Sequence, residues 1–275
     1  MNHKLIFLDV DGTLCDETGR VPESAKQAIT QAQQAGHQFF LCTGRTKGEI
    51  TDELLGLNFR GMIGAGGGYC EVDGEVILHE TLPQTELLEM LAYFRAENIA
   101  YYLQSSEELI ASSDLRETLS ELLLQNSGGN PDILDSVQWF FDLLKDETNV
   151  DYQQMEKICF VNNKVPYQEI YQRFHPYFAV IPTTTSHFGA DSGEVSVKGL
   201  SKKTAIEFLL NHLQVNIEDT IAFGDGHNDG EMFEAVGLSV AMGNASDSLK
   251  VLADGVTSHI NQDGLAHGLK KYVLN

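Results

Sequence analysis

The sequence predicts an α/β protein in which a doubly wound parallel sheet, a Rossmann-like core, is interrupted by an inserted α+β module. Short apolar runs alternate with helix-like segments at both ends of the chain, which is typical of strands covered by helices on both faces. Several of these runs end in polar residues, as strands do where their carboxyl ends form a ligand site. The alternation is lost over residues 83–190. We therefore expect a core of residues 1–82 and 191–275 around an insert of residues 83–190.

The first predicted strand is the apolar run from Leu5 to Leu8. It ends in two carboxylates two positions apart, Asp9 and Asp11, followed by a Gly-Thr turn. Because side chains alternate along a strand, the two aspartates can start on the same side of the sheet. The opening stretch therefore predicts a buried central strand with an acidic carboxyl end.

The alternation continues to about residue 82. Pro22 suits the first turn of a helix and Gly36 suits its end, so a helix is expected between them. The further elements predicted here are strands over 38–42 and 61–65, a helix over about 46–55 and a β-hairpin over 69–78.

The insert has a different pattern. Residues 84–97 carry leucines and a phenylalanine at helical spacing, and a loop is expected over 126–131, where Asn, Gly and Pro are concentrated. Short strands are predicted over 99–103 and 108–111, and a helical stretch is predicted on each side of this loop. Further strand and helix are predicted over 157–161, 167–174, 178–182 and 186–189. We find no chemical motif in this part of the sequence.

The parallel-sheet pattern resumes near Asp191. Ser201 is a suitable N-cap for a helix that begins at Lys202. The elements predicted here are strands over 194–197, 220–223 and 238–242, and helices over 202–212, 247–252 and 263–272.

The charge balance limits the partners that we expect. The 275 residues contain 40 acidic and 18 basic side chains, a formal net charge of -22. No basic run is present that would neutralise nucleic-acid phosphates or an anionic membrane. A small phosphorylated metabolite remains compatible, because a few local cations can dominate a pocket when diffuse charge is screened over roughly 8 Å.

The cysteines and the start of the chain indicate the compartment. The four cysteines are widely separated and form no Cys-x-x-Cys pair, which disfavours zinc and a disulfide framework. Neither a signal peptide nor a membrane span is predicted. We expect a soluble, cytoplasmic protein with reduced thiols, either a monomer or a small homo-oligomer.

Four predicted strand ends or turns carry polar residues, and together they suggest a chemistry. Asp9 and Asp11 follow one strand, Thr43 another, and Asp225 and Asp229 a third, while Lys202 lies after the strand over 194–197. Two like charges about 4 Å apart repel by about 4 kcal/mol at an effective dielectric constant of 20, so clustered carboxylates need a cation. Oxygen ligands of this kind suit Mg²⁺, and the threonine and lysine suit phosphate.

Two competing motif assignments fail on spacing. The run from Asp225 to Gly230 resembles a calcium loop, but its twelfth position is Val236 rather than glutamate. Gly66-Gly67-Gly68 lacks the G-x-G-x-x-G spacing of a dinucleotide loop, and a hairpin rather than a helix follows it. His227 is interpreted as a surface histidine.

The order and spacing of four motifs resemble the haloacid dehalogenase-like hydrolase superfamily, most closely its Cof-type phosphatases with a type IIB cap. The matching segments are Asp9-Val-Asp-Gly-Thr13, Thr43-Gly-Arg45, Gly199-Leu-Ser-Lys202 and Gly224-Asp-Gly-His-Asn-Asp229. The resemblance continues through Ala241–Ala245 and Asp254–Thr257 to Asp263-Gly264, and it covers about two-thirds of the chain. One departure is that Gly66 stands where the subfamily usually has asparagine.

The resemblance implies a Mg²⁺-dependent phosphomonoesterase for a small metabolite such as a sugar phosphate, with the insert as the substrate-selecting cap. Asp9 would be the nucleophile that forms an aspartyl-phosphate, and Asp11 the general acid and base. Thr43 and Lys202 would stabilise the transferred phosphoryl group. The implied metal ligands are Asp9, the Asp11 carbonyl, Asp225 and, in support, Asp229; the implied phosphate contacts are Gly12, Thr43, Gly44, Arg45, Lys202 and Asn228.

Two other functions remain open at this point. A phosphomutase would use the same aspartyl-phosphate and return the phosphoryl group to the substrate. A phosphosugar-binding regulator would keep the fold without turnover, although a pure binder has no need of the nucleophile Asp9.

Overall fold

The strands of the protein form two separate sheets, one in each of two units. The structure is a computed structural model and describes residues 3–162, 164–183 and 188–274. The first unit, here called the core unit, contains residues up to Arg45, Ile50–His79 and residues from Leu200 onward. The second, here called the inserted unit, contains Thr46–Glu49 and Glu80–Gly199.

The elements in the described residues are numbered along the chain. The strands are β1 Leu5–Leu8, β2 Gln38–Cys42, β3 Gly61–Gly64, β4 Tyr69–Val72, β5 Glu75–His79, β6 Ala100–Gln104, β7 Leu109–Ala111, β8 Leu144–Asp146, β9 Lys157–Val161, β10 Phe178–Pro182, β11 Gly193–Val197, β12 Thr220–Gly224, β13 Leu238–Ala241 and β14 Gly255–Val256. The helices are α1 Glu23–Gln34, α2 Asp52–Leu55, α3 Gln84–Glu97, α4 Leu115–Asn126, α5 Asp132–Ser136, α6 Gln138–Leu143, α7 Tyr167–Phe174, α8 Lys202–Leu213, α9 Asp229–Glu234, α10 Asp247–Leu252 and α11 Gly264–Tyr272.

The core unit contains an eight-stranded sheet in the order β14-β13-β12-β1-β2-β3-β4-β5. All neighbours from β14 to β3 are parallel, and the β4–β5 hairpin adds two antiparallel strands at one edge. In the centre, Phe7 of β1 pairs with Phe40 of β2 on one side and with Ala222 of β12 on the other. The parallel α/β sheet predicted from the sequence is confirmed.

Alternation along β1 divides the apolar side chains between the two faces of this sheet. Ile6 and Leu8 pack with α1 and α11 on one face, whereas Leu5 and Phe7 pack with α8 and α9 on the other. Helices therefore cover both faces, which explains why β1 is apolar at every position.

The inserted unit contains a six-stranded sheet in the order β10-β11-β9-β6-β7-β8. Its strands are antiparallel except for the parallel pair β7–β8. One apolar cluster packs α3 and α7 against this sheet, and a second packs α4 and α6 against it. This unit therefore has a hydrophobic core of its own.

Two local expectations differ from the structure. The strand over 194–197 is expected to resume the parallel sheet, but β11 pairs antiparallel with β9 and β10 in the other sheet, so that expectation is wrong. The helix expected over 46–55 is instead a short 3₁₀ turn at Lys47–Glu49 followed by the four-residue α2. The further element expected over 186–189 lies partly outside the described residues.

The structure also allows the expectations for the cysteines and for membrane spans to be compared with the described residues. All four cysteines are buried free thiols. Within the described ranges, no helix combines the length and the apolar character needed to cross a membrane.

Candidate active site

The carboxyl ends of three neighbouring strands bring together residues that are far apart in the sequence. Asp9 follows β1, Thr43 follows β2 and Asp225 follows β12. Since β1 lies between β12 and β2, the three residues meet at one edge of the core sheet. This edge is where open parallel sheets bind ligands.

Lys202 is the cation of this site. Its ammonium nitrogen lies 2.6 Å from Asp9 Oδ1 and 2.6 Å from Asp229 Oδ1, and all three side chains are buried. Ser201 caps α8 as predicted, and it forms a capping box with Thr204. The cap begins α8 at Lys202, so the ammonium group is delivered from the first turn of this helix.

Burial and the neighbouring charges shift the pKa values of these groups. Burial, reinforced by the Asp229 carboxylate, raises the pKa of Asp9 to about 8. Burial lowers the pKa of Lys202, but the Asp229 and Asp9 carboxylates outweigh it and raise that pKa above the ordinary lysine value. The two carboxylates therefore repel each other across a single ammonium group.

The Asp229 carboxylate also fixes the backbone of the loop that follows β12. Its Oδ2 atom accepts hydrogen bonds from the Asp225 amide at 2.9 Å and from the Gly226 amide at 2.8 Å. A Cβ atom on Gly224 would come within 2.7 Å of the Asp229 side chain, so glycine is needed for this approach. Asp229 thus joins Lys202 to the loop that presents Asp225.

Asp225 is held by two residues outside the predicted site. Thr13 donates from Oγ1 to Asp225 Oδ1 at 2.7 Å, and Asn244 donates from Nδ2 to Asp225 Oδ2 at 3.2 Å. Asn244 also donates to the Gly12 carbonyl oxygen at 2.7 Å. Burial raises the pKa of Asp225 to about 6, although the Thr13 hydrogen bond lowers it. The sequence signal for Asn244 is its position after strand β13.

Gly12 lies directly against Asp225. Its φ angle is +83°, and a Cβ atom at this position would overlap the Asp225 carboxylate. Glycine is therefore required here both by the left-handed backbone and by the space that the carboxylate occupies.

Thr43 is buried at the end of β2, in a turn that is fixed by backbone hydrogen bonds. Its amide donates to the Ile63 carbonyl oxygen at 2.9 Å, and its Oγ1 atom accepts from the Arg45 amide at 3.1 Å. Gly44 lies between these two residues in the turn. The expected position of Thr43 at a strand end is found.

Asp11 and Arg45 form a separate pair. The Arg45 guanidinium donates to both carboxylate oxygens of Asp11, at 2.6 Å and 3.0 Å. The Asp11 carboxylate is not one of the three whose oxygens lie within 4.8 Å of one another, which are those of Asp9, Asp225 and Asp229. A ligand role for the Asp11 main-chain carbonyl stays a prediction.

Asn228 and His227 are exposed in the loop before α9. The Asn228 side chain approaches Gly226, where a Cβ atom would overlap its Oδ1 atom. A phosphate contact for Asn228 stays a prediction. The exposure of His227 agrees with its interpretation as a surface histidine.

The carboxylates of Asp9, Asp225 and Asp229 can hold a metal ion. One oxygen from each lies within 4.8 Å of the others. The set consists of three carboxylates with one ammonium group and is therefore net negative. All-oxygen donors with an excess of negative charge fit a hard divalent cation.

The sequence profile of the haloacid dehalogenase-like hydrolase family matches residues 6–269, nearly the whole chain. The chain belongs to this family. The profile spans the four strand-end motifs and the inserted unit together, which confirms the resemblance inferred from the motifs alone.

The curated relatives agree with this family, and a solved structure shares the fold. Phosphatase YwpJ of Bacillus subtilis (strain 168) is 28% identical over 291 residues, covering 97% of this chain and 99% of that protein. The 5-amino-6-(5-phospho-D-ribitylamino)uracil phosphatase YcsE of the same organism is 25% identical over 274 residues, covering 98% of this chain and 96% of that protein. A crystallised HAD subclass IIB sugar phosphatase, BT4131, matches the fold with a TM-score of 0.74 at 24% identity, covering 98% of each chain. Hydrolysis of phosphate monoesters fits these relatives.

Proposed function

We propose that this hydrolase is a Mg²⁺-dependent phosphomonoesterase that acts on a small phosphorylated metabolite through an aspartyl-phosphate on Asp9. The observation that carries the proposal is the position of Lys202, 2.6 Å from both Asp9 and Asp229 at the carboxyl edge of the core sheet. A carboxylate in such surroundings can act as a nucleophile because neighbouring positive charge offsets the charge of the incoming phosphate.

In the first half of the reaction, an Asp9 carboxylate oxygen attacks the phosphorus atom. The bond from Asp9 to phosphorus forms while the bond from phosphorus to the ester oxygen breaks. Asp11 gives its proton to the departing alcohol oxygen, so that a neutral alcohol leaves. The products of this half are the alcohol and an acyl phosphate on Asp9.

In the second half, water attacks the same phosphorus atom. Asp11, now a carboxylate, accepts a proton from the water, and the bond between phosphorus and the Asp9 oxygen breaks. Inorganic phosphate leaves, and both aspartates return to their starting states.

Thr43 and Lys202 stabilise the phosphoryl group as it passes through the pentavalent arrangement. Donors that are already fixed in place at the point where charge develops are the most effective ones. The motifs predict Gly12, Gly44, Arg45 and Asn228 as further phosphate contacts, and we keep this role for Gly12, Gly44 and Asn228.

Asp9, the Asp11 main-chain carbonyl and Asp225 would hold Mg²⁺, with Asp229 in support. When bound, the ion neutralises phosphate charge and orients the ester for in-line attack. The three-carboxylate set supports this assignment, and hydrogen bonds from Thr13 and Asn244 hold the Asp225 carboxylate in place.

We propose that residues 83–190 select the substrate as a cap. The strand-end residues of the candidate site lie in the core unit, and the inserted unit has its own sheet and hydrophobic core. A sugar phosphate or a phosphorylated sugar alcohol is the proposed substrate class. The relative YcsE is named for a phosphoribityl compound, which supports a substrate of this size and polarity.

The test is phosphate release from a panel of phosphorylated metabolites, with and without Mg²⁺. We expect Mg²⁺-dependent release from at least one sugar phosphate, and none from the Asp9→Asn variant. Isomerised substrate without phosphate release would indicate a phosphomutase instead. Tight binding of a sugar phosphate with neither product would indicate a regulator.

A further inference from the structure

Arg45 and Asp11 form a two-pronged ion pair in the core unit. Arg45 Nη2 lies 2.6 Å from Asp11 Oδ1, and Arg45 Nε lies 3.0 Å from Asp11 Oδ2. The Arg45 side chain is 11% exposed and the Asp11 side chain 64% exposed. The arginine is thus the fixed partner, and the aspartate is the one that would otherwise move freely in solvent.

The backbone of Arg45 is anchored between two strand ends. Its amide donates to Thr43 Oγ1 at 3.1 Å, and its carbonyl oxygen accepts from the Ala65 amide at 2.8 Å. Thr43 follows β2 and Ala65 follows β3. The guanidinium group is therefore presented by the ends of two core strands.

The paired geometry fixes the plane of the Asp11 carboxylate. A guanidinium group that donates to both carboxylate oxygens fixes the orientation of the carboxylate plane. A single donor would leave the carboxylate free to rotate. Each carboxylate oxygen keeps a second lone pair for a further partner, because a carboxylate has about four acceptor positions. Asp11 can therefore exchange a proton with another group while Arg45 still holds it.

We propose that Arg45 is a positioning residue that acts through Asp11 rather than a ligand of the phosphate. This inference rests on the proposed function, because it assigns Arg45 to the step in which Asp11 protonates the departing alcohol. Two of its donors are already directed to Asp11, and its exposure is low. A phosphate ligand, in contrast, would direct those donors to the substrate.

The two roles differ in how they depend on the leaving group. A general acid matters for an alkyl phosphate, whose alkoxide leaves poorly, and matters little for p-nitrophenyl phosphate, whose phenolate leaves readily. A phosphate ligand contacts the phosphoryl group that both esters share. We would therefore compare kcat/KM for glucose 6-phosphate and p-nitrophenyl phosphate in the Arg45→Ala and Arg45→Lys variants.

We expect Arg45→Ala to lower kcat/KM for glucose 6-phosphate by about 10²-fold, within the range of general acid catalysis, and that for p-nitrophenyl phosphate by less than about tenfold. Inhibition by inorganic phosphate should change less than about threefold. Arg45→Lys should show most of the same difference between the two esters, since lysine cannot form the two-pronged pair. Equal losses on both esters, with weaker inhibition by phosphate, would show that Arg45 is a phosphate ligand.

Two further measurements distinguish failure of the acid role of Asp11 from failure of the positioning role of Arg45. In an Asp11→Asn background, Arg45→Ala should change kcat/KM by less than about threefold, because a residue that acts only through Asp11 has nothing left to position. If Asp11→Asn itself shows no dependence on the leaving group, the proposed acid role fails. If Asp11→Asn shows this dependence and Arg45→Ala does not, only the present inference fails.

Arg60 offers a matched control. It lies just before β3 and pairs with Asp73 in the turn between β4 and β5, with Nε 3.3 Å from Asp73 Oδ1 and Nη2 3.0 Å from Asp73 Oδ2. Its Nη1 atom also donates to Gln38 Oε1 at 2.8 Å. Arg60→Ala removes a pair of the same type outside the catalytic motifs. We expect equal changes of less than about threefold on both esters, since Arg60 and Asp73 lie outside the catalytic motifs.

Discussion

The Lys202 ammonium nitrogen lies 2.6 Å from the Asp229 Oδ1 atom, and both side chains are buried in the core unit. Asp229 accepts two loop amides through its other oxygen, so its position is set before any ligand binds. Lys202 is thereby fixed beside Asp9. This position supports the proposed role of Lys202 in stabilising charge on a phosphoryl group, because the substrate does not first have to order the lysine.

The first prediction concerns which lysine acts. Lys202→Ala should lower kcat/KM by about 10²–10³, the scale seen when a preorganised charge-stabilising donor is removed. Lys198 instead donates to the His175 carbonyl oxygen at 2.9 Å within the inserted unit. Lys198→Ala should therefore lower kcat/KM by less than about tenfold. Steady-state kinetics on the best panel substrate would compare the two, and the reverse ranking would contradict the assignment.

The second prediction concerns the nucleophile. Asp9→Asn should lower turnover by at least about 10³-fold, because an amide is a poor nucleophile toward phosphorus. The variant should still fold, since it removes one of the two carboxylates that repel each other around Lys202. Thermal unfolding and phosphate release would be measured together. Asp219→Asn, at a partly exposed pair with Lys4, is the control. Turnover near wild type in Asp9→Asn would refute the mechanism.

The third prediction concerns Asn244, which holds Asp225 and also accepts from the Ile260 amide at 3.0 Å. Asn244→Ala should weaken Mg²⁺ binding by about tenfold or more, as the loss of residues that orient a metal ligand commonly does. Isothermal titration with Mg²⁺ reports this change independently of activity. Asn216, an exposed asparagine before β12, provides a control in Asn216→Ala. An unchanged affinity in Asn244→Ala would remove Asn244 from the metal site.

The fourth prediction compares two neighbouring glycines after β3. Gly67 has φ +116°, and a Cβ atom there would overlap the Ser201 carbonyl oxygen, so Gly67→Ala should lower the free energy of unfolding by about 2–4 kcal/mol. Gly66 has φ +66° and ψ 18°, with no heavy atom within 4 Å of a Cβ position. Asparagine tolerates this conformation, so Gly66→Asn should change that free energy by less than about 1 kcal/mol. Urea unfolding measures both, and equal losses would contradict the comparison.

The fifth prediction concerns the proposed cap. Exchange for the corresponding part of phosphatase YwpJ should change which ester is preferred while Mg²⁺ dependence persists. The exchange should run over residues 80–199, because β11 pairs with β9 and β10, and a boundary at residue 190 would divide that sheet. A second version also exchanges residues 46–49, since Glu49 accepts from Gln104 at 2.6 Å. If both versions keep the original ranking of substrates, the insert is not the selector.

The sequence by itself determined the features that depend on neighbouring residues. The apolar run of β1, the Ser201 cap of α8 and the alternation that gives a parallel sheet are local patterns, and each is found in the structure. The acidic and basic residues at strand ends were also local. Parallel strands bring their carboxyl ends to one edge, so Asp9, Thr43 and Asp225 could be expected together. Lys202 reaches the same site from the first turn of α8, because the strand before it belongs to the other sheet.

Only the tertiary structure decided which residues and strands far apart in the sequence contact each other. The residues of β11 are compatible with either sheet, and their antiparallel pairing with β9 depends on a chain reversal that no short pattern encodes. Arg45 could have faced a phosphate as well as Asp11, and Asn244 gave only a weak signal before its contact with Asp225. Hydrogen bonds between residues far apart in sequence depend on backbone positions fixed by packing of the whole core, and composition and spacing do not contain those positions.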